Sequence, residues 1–344
     1  VNIELSNKSG IVSHPSGCLI DRFGRVHTSL RVSVTDACNI RCRYCMPEFV
    51  NGFMPQERLM SFHTIERVVE ILATAGIRKV RLTGGEPLMR PGLPDLVQRL
   101  ARIPGIMQVA LTTNGMLLNG TIEDLVRSGL THVNISLDTL REDAFRRMSR
   151  RDGLDRVLAG IEAAVASRIP VRLNAVLLRD INGDDCVPLV EYATRLGVVI
   201  RFIEFMPLDA DRAWSQPQLI TGKELRLRLE AELGPMERCE SLDRSQPSRD
   251  YRFLDRPGAI GFIDPVSEPF CNACNRLRLT ADGKFRNCLF GREEWDVLSL
   301  VQENASDAEI LRRAMQCVEA KYPSHGISED GFQPPARAMY QIGG

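Results

Sequence analysis

Apolar and polar residues alternate with period two in several short stretches of the chain. Val32 and Val34 lie between Arg31, Ser33 and Thr35, and Val80 and Leu82 between Lys79, Arg81 and Thr83. Val133, Ile135 and Leu137 interleave with Asn134, Ser136 and Asp138, and Val171 and Leu173 with Arg172 and Asn174. Period two places each polar set on one face of a strand. Strands are predicted over 31–35, 79–83, 107–113, 131–137, 170–176 and 198–205. The last is less clean, because Arg201 shares a face with Ile203 and Phe205. Helical periods between them predict helices over 63–74, 93–102, 121–128, 141–148, 153–167 and 184–195. Six strand–helix alternations point to an α/β fold, a parallel sheet with right-handed crossovers. Buried parallel strands usually read as continuous apolar runs, and a complete eight-stranded barrel fills its interior with branched apolar side chains. These strands do neither. With helices over the apolar outer face, the polar faces converge on an open, cationic lumen; the alternative is that some of those faces are simply solvated. An unpaired cationic channel is costly, so a bound anion is the natural occupant.

The remainder of the chain changes character. Residues 1–22 have no firm period and read as an N-terminal surface extension, which leaves 23–240 for the partial barrel. Residues 207–220 read as a connecting segment and 221–233 as a helix. A polar stretch at 241–250 marks the start of a smaller C-terminal α+β domain, 241–344. There the pattern turns to hairpin-like runs (251–254, 259–263, 276–280, 284–287) and later helices (294–302, 306–319), with no internal repeat. The 344 residues carry 44 Lys+Arg and 44 Asp+Glu, so no global charge points to nucleic acid or a membrane surface. No apolar run approaches the roughly 18 residues of a membrane helix. Ten cysteines, clustered and without a signal peptide, predict metal binding in a reducing cytoplasm rather than a disulfide scaffold.

Cys38, Cys42 and Cys45 follow the first predicted strand as Cys-x3-Cys-x2-Cys. Soft thiolates at this spacing suit zinc, copper(I) or an iron–sulfur cluster. Three of them leave one iron of a [4Fe–4S] cluster open for chemistry. Structural zinc would need a fourth ligand, and residues 30–60 offer no further Cys. A second set, Cys271-x2-Cys274 and then Cys288, is equally incomplete. Zinc with a remote fourth ligand stays open for it, and Cys239 and Cys317 read as free core thiols. Arg276 and Arg278 lie on one strand face beside Cys274.

The first motif, with Tyr44 just before its last Cys, resembles the radical S-adenosylmethionine (SAM) enzymes. Thr83-Gly84-Gly85-Glu86-Pro87 at the end of the second strand extends the likeness. Its glycines allow close backbone approach to a ligand, and Glu86 can accept from an ammonium group. The resemblance implies an incomplete (β/α)6 barrel, a [4Fe–4S] cluster on Cys38, Cys42 and Cys45, and SAM chelating the open iron. Tyr44, Gly85, Glu86, Ser136 and Met206 are the SAM-site residues it implies.

The second set narrows the likeness. Phe270-Cys271-x2-Cys274-Asn275-Arg276-x-Arg278, Gly283-Lys284-x3-Cys288 and the terminal Gly343-Gly344 resemble the GTP 3′,8-cyclase family of molybdenum-cofactor biosynthesis. Arg201-Phe-Ile-Glu-Phe-Met206, Thr112-Thr-Asn-Gly115 and Asn134-Ile-Ser-Leu-Asp138 agree with it. In that family a second [4Fe–4S] cluster, here on Cys271, Cys274 and Cys288, binds the guanine base. The resemblance implies a lyase acting on GTP, a cyclic pyranopterin monophosphate synthase downstream, a low-potential flavodoxin or ferredoxin donor, and allows a homodimer. From the residues themselves, Arg31, Lys79, Arg81, Arg172, Arg201, Arg276 and Arg278 would face one channel suited to a triphosphate, with Thr112 adding a hydroxyl. The family usually has Lys where this chain has Arg172, which keeps the charge and changes the donor geometry. The likeness also gives Arg276, Arg278, Gly343 and Gly344 a part in catalysis, the tail threading toward the active site. Two other readings remain: a radical SAM peptide maturase with an auxiliary cluster, and a non-catalytic module with two three-cysteine metal sites.

Overall fold

The six predicted strands form in sequence order: β1 (Ser29–Ser33), β2 (Lys79–Thr83), β3 (Gln108–Thr113), β4 (His132–Ser136), β5 (Val171–Val176) and β6 (Val199–Ile203), each parallel to the next. The computed structural model describes residues 17–241, 243, 245–327, 329 and 331–343. Crossovers are made by α1 (Phe62–Thr74), α2 (Leu93–Arg102), α3 (Ile122–Arg127), α4 (Glu142–Ser149), α5 (Leu154–Ala166), α6 (Arg179–Asn182) and α7 (Cys186–Leu196). The apolar half of each alternating strand points outward beneath these helices. Leu30, Val32, Leu82, Leu111, Val133, Ile135 and Leu173 are fully buried, in one core with Ile65, Leu72, Leu96 and Ile161 of the helices. Helix starts follow their local chemistry: Ser61 accepts from the Thr64 N–H at 3.0 Å before α1, satisfying one orphan donor.

Beyond β6 come α8 (Gly222–Leu233), β7 (Met236–Arg238), β8 (Arg249–Phe253), β9 (Ala259–Ile263), β10 (Arg276–Leu279), β11 (Lys284–Arg286), β12 (Trp295–Asp296), α9 (Leu298–Gln302), α10 (Asp307–Glu319) and α11 (Met339–Ile342). The hairpins expected there form, as β8–β9 and β10–β11. Their placement was not legible in the pattern. β10 adds to β1 in parallel, and β9 adds to β6 in parallel. One sheet therefore runs β12-β11-β10-β1-β2-β3-β4-β5-β6-β9-β8-β7, its eight central strands all parallel. The open barrel is extended at both edges by strands from the C-terminal third of the chain.

Three local expectations are corrected. Residues 1–16 of the expected extension lie outside the described residues, but 17–22 are not a surface appendage. Leu19 is fully buried, and its N–H donates to the Ala75 carbonyl at 3.1 Å. The helix expected over 294–302 is confined to α9; Trp295 pairs with Phe285 as strand β12, and Lys284 pairs with Asp296. The first strand ends at Ser33 rather than Thr35, because Thr35 Oγ1 accepts from the Ala37 N–H at 3.1 Å and turns the chain into the cysteine loop. No described helix is long and apolar enough to cross a membrane.

The β6–β9 joint is closed by side chains. Phe202 and Phe262 are register partners with ring centroids 6.2 Å apart, both 2% exposed, and Tyr251 meets Phe262 edge-on at 5.6 Å. Replacing Phe262 with Ala removes this contact where the sheet changes from barrel to C-terminal strands. The expected loss is about 3–5 kcal/mol of stability, read as a lower urea midpoint by far-ultraviolet circular dichroism.

Candidate active site

The inward faces of the strands line a cavity of about 450 Å³, a volume in the range of small-molecule sites. Both cysteine sets open onto it, from opposite parts of the sequence. Residues 36–46 form the loop after β1, pinned by Arg41 N–H to the Ser149 carbonyl at 2.7 Å and Arg43 N–H to the Met148 carbonyl at 3.0 Å. Within it the Cys45 and Met46 N–H groups both donate to the Cys42 carbonyl at 2.9 Å, curling the loop so that Cys38, Cys42 and Cys45 all face the cavity. Asn114 Nδ2 approaches Cys38 Sγ at 3.8 Å. Burial pushes the Cys38 thiol up to about 11 and raises Cys42 and Cys45 as well. Such thiols ionise when a bound cation supplies the missing charge.

The second set has the opposite electrostatics. Burial raises Cys271, yet at Cys274 the same effect is outweighed by Arg276 and Lys321, which bring the thiol down to about 6. All ten cysteines are free of disulfides. Among the described residues no three His, Cys, Asp or Glu side chains converge on a point as ligands of a single ion. In a cubane cluster each thiolate binds a different iron, so three cysteine ligands need not share one point. The donor sets are therefore chemically suited to [4Fe–4S] clusters, each with one iron left open.

Between the two sets, Arg31, Lys79, Arg81, Arg172, Arg201, Arg276 and Arg278 all face the cavity, as the alternation predicted. Strand register puts Arg31 beside Arg81 on one side and Arg278 on the other. Only three carboxylates share the lining with these seven cations: Asp138, Glu204 and Asp243. Lys79 pairs with Asp243 at 2.7 Å, and Arg201 with Asp250 at 3.7 Å. Arg31, Arg81, Arg172, Arg276 and Arg278 have no ion-pair partner among the described residues. Burial, with Arg278, Arg276 and Arg81, pushes Arg31 well below its ordinary range. Burial also lowers Arg81, Arg201 and Arg278 to about 10, reinforced by the neighbouring guanidiniums. They stay charged at neutral pH. Thr112 lines the same wall, its Oγ1 accepting from Arg81 at 3.3 Å.

Comparison with known proteins agrees with this geometry. The family model of the radical SAM superfamily matches residues 32–193, and that of Molybdenum Cofactor Synthesis C matches 198–327. A GTP 3′,8-cyclase of Rhodopirellula baltica is 44% identical over 330 residues, covering 95% of this chain and 92% of that protein. One of Streptomyces coelicolor is 42% identical over 328 residues, covering 95% and 96%. The chain belongs to the GTP 3′,8-cyclase family. Its fold is also that of Streptococcus suis SuiB solved with S-adenosylmethionine, with TM-score 0.56 and 13% identity over 80% of this chain and 65% of that one. The cofactors of the radical SAM superfamily are a [4Fe–4S] cluster and SAM.

Tyr44, Gly85, Ser136 and Met206, expected from the family likeness at the SAM site, line the cavity beside the first cysteine loop. Glu86 is a correction. It is fully buried and does not line the cavity; its Oε1 accepts from Thr113 Oγ1 at 2.7 Å and the Leu88 N–H at 3.0 Å, and its Oε2 from the Asn114 N–H at 2.7 Å. The carboxylate clasps the ends of β2 and β3 together instead of reaching a ligand. The glycines before it, which both line the cavity, also pack against the cysteine loop. A Cβ on Gly84 would lie 2.5 Å from the Thr35 carbonyl oxygen, and one on Gly85 2.4 Å from those of Asp36 and Ala37. The close approach they permit is to the cysteine loop, which receives hydrogen bonds at Thr35 and Ala37 from the Gly85 and Glu86 N–H groups.

The C-terminal tail of this GTP 3′,8-cyclase family member does reach the cavity. Met339 and Tyr340 line it, and the Gly343 carbonyl accepts from Arg278 Nη1. Gly344 lies outside the described residues. Other lining groups were assigned no role from the sequence. Asp138 accepts from the Tyr44 hydroxyl at 2.9 Å and from the Val176 N–H at 2.9 Å, and Asn182, fully buried, ties down its carbonyl at 2.7 Å. The motif Asn134-x-Ser136-x-Asp138 contained the signal, since Asp138 continues the inward period. Glu204, Gln246 and His325 had no such signal.

Burial lifts the Glu86 carboxyl from 4.5 to about 7. A carboxyl raised on folding stabilises the fold while protonated; that contribution is complete below about 4.5 and is lost as pH rises through about 7. Replacing Glu86 with Gln removes it. The stability of the parent minus that of Glu86→Gln should therefore fall as pH rises across this window and level off above it, as measured by urea midpoints of both proteins.

Proposed function

We propose that the chain is a radical SAM lyase that converts GTP to (8S)-3′,8-cyclo-7,8-dihydroguanosine 5′-triphosphate, the first step of molybdenum-cofactor biosynthesis. The observation that carries this is the set of seven cations packed between two incomplete cysteine sets in one cavity. A reduced cluster and SAM, when bound, supply a 5′-deoxyadenosyl radical that removes hydrogen from an unactivated carbon. Everything else is positioning by this chain's own residues. Cys38, Cys42 and Cys45 hold the first cluster, with Tyr44, Gly85, Ser136 and Met206 shaping the SAM side of the cavity. Cys271, Cys274 and Cys288 hold a second cluster whose open iron takes the guanine base. Arg31, Lys79, Arg81, Arg172, Arg201, Arg276 and Arg278, with Thr112, receive the triphosphate. Forked guanidiniums match phosphate oxygens, and a substrate near four negative charges relieves their mutual repulsion.

Held at both ends, the nucleotide presents C3′ toward the SAM side. Once C3′ has lost a hydrogen atom it adds to C8 across the C8=N7 bond of guanine, and one electron from the low-potential donor with one proton at N7 completes the 7,8-dihydro ring. Fixing both reacting carbons in one closed cavity accounts for intramolecular bond formation in place of quenching by water. Gly343 brings the tail to Arg278 and narrows the space around the substrate; Gly344 shares its part in catalysis by family likeness. The reading implies a low-potential flavodoxin or ferredoxin as donor, a cyclic pyranopterin monophosphate synthase to take the product, and a cytoplasmic setting.

Anaerobic reconstitution should yield two four-iron clusters per chain; a stoichiometric zinc in place of the second would contradict the substrate assignment. With reductant, SAM and each nucleoside triphosphate in turn, 5′-deoxyadenosine and a pterin-forming product should appear with GTP; turnover on ATP but not GTP would defeat the assignment. Cys271→Ala should keep the first cluster and basal SAM cleavage but abolish cyclisation of GTP. Neutralising Arg276 and Arg278 together should weaken GTP binding more than SAM binding in equilibrium titrations, whereas equal losses would remove them from the triphosphate site.

A further inference from the structure

Behind the second cysteine set, on the side away from the cavity, lies a buried polar cluster that the binding of GTP and SAM does not explain. Asp21, Arg25, His27 and Lys321 are 4%, 8%, 0% and 3% exposed. Arg25 Nε donates to Asp21 Oδ2 at 2.6 Å, and its Nη1 donates to the Cys271 carbonyl at 2.8 Å. Its Nη2 donates to the Tyr322 carbonyl at 2.7 Å, so one guanidinium joins the cysteine loop to the segment after α10. His27 Nδ1 lies 2.9 Å from the Arg25 carbonyl, a contact that requires the proton on Nδ1. Nε2 is left as an acceptor, 3.1 Å from Lys321 Nζ. Burial, then Lys321, lowers the imidazole to about 3, so it stays neutral. Lys321 Nζ also donates to the Arg276 carbonyl at 2.9 Å.

The Asp21–Arg25 charges cancel. Lys321 remains as a buried ammonium with only neutral hydrogen-bond partners and, among the described residues, no carboxylate in ion-pair range. Burying such a charge costs several kcal/mol unless an opposite charge is near. Lys321 Nζ is bonded to the carbonyl of Arg276, two residues beyond Cys274, and Arg25 of the same cluster is bonded to the Cys271 carbonyl, so the ammonium abuts the backbone that carries the second cysteine set. Arg276 lines the cavity, whereas Lys321 does not.

We propose that Lys321 is a positioning and charge-setting residue of the second cysteine site. Its ammonium, fixed by His27, supplies counter-charge to the thiolate ligands and, through the Arg276 carbonyl, holds the start of β10 against them. This rests on the reading that Cys271, Cys274 and Cys288 hold a [4Fe–4S] cluster. A fixed positive charge beside such a cluster favours its reduced, more negative form, so it raises the reduction potential.

The test uses the full chain carrying Cys38→Ala, Cys42→Ala and Cys45→Ala, reconstituted so that only the second cluster is present, with its midpoint potential followed by electron paramagnetic resonance. Adding Lys321→Gln should shift the midpoint to more negative potential, and adding Lys321→Arg should leave it near the parent. An unchanged midpoint in Lys321→Gln overturns the proposal. Where Lys321→Gln binds no cluster, Lys321→Arg decides: retention of four irons supports a requirement for charge, and loss in both overturns it in favour of side-chain shape. A parent that binds no four-iron cluster overturns the cluster reading itself, an outcome distinct from an unshifted potential.

Discussion

Arg278, Arg31 and Arg81 stand side by side in one register row across three adjacent parallel strands. Neighbouring strands are about 4.8 Å apart, so the pairing that builds the sheet also forces guanidiniums together in a space with little water. Each is partly desolvated, and each is held near others of like sign. The outer faces of the same strands repay this cost through Leu30, Val32, Val80 and Leu82, buried under helices. The apolar half of the alternation holds the sheet together, and the polar half keeps the lumen in need of an anion. The proposed triphosphate would satisfy that need with forked guanidinium contacts.

The two cysteine sets occupy the same cavity under different fields. Near the first, burial dominates and the closest formal charges include Glu86 and Asp138, which disfavour thiolates. Near the second, Arg276 and Lys321 favour them. The polarity along the cavity suits the proposed ligands. A cationic sulfonium is tolerated at the less positive end, and an anionic nucleotide is drawn to the other. The two cysteine sets are thus incomplete in the same way without being interchangeable.

Much of this was legible because period two is a local property. Arg31, Lys79, Arg81 and Arg172 could be assigned to one inward face from their spacing, and the structure brings them together. The cysteine spacings were equally local. What could not be read was pairing between distant segments. Nothing in Ala259–Ile263 or Arg276–Leu279 says that these strands add in parallel to β6 and β1, because that depends on edges created elsewhere in the fold. Residues 17–22 looked aperiodic since what they contribute is single buried side chains, Leu19 and Asp21. Glu86 was misread for a related reason: a carboxylate after two glycines has the composition of a ligand contact, and only the folded loop shows Thr113, Asn114 and Leu88 already using its oxygens.

The tail shows how the cation set can be served by the chain itself. Gly343 adopts a left-handed conformation, φ 71°, and a Cβ there would lie 2.4 Å from Thr83 Oγ1. Any other residue would be both strained and in collision with the end of β2. What glycine leaves available is its carbonyl, which takes the Arg278 guanidinium. A neutral carbonyl satisfies one donor without cancelling the charge, so it competes weakly with phosphate oxygens for the same group. A carboxylate in its place would hold Arg278 far more firmly and subtract from the field that draws in the nucleotide. A tail held through its backbone carbonyl therefore leaves the charge of Arg278 in place, and that requires a residue with nothing to offer but its backbone.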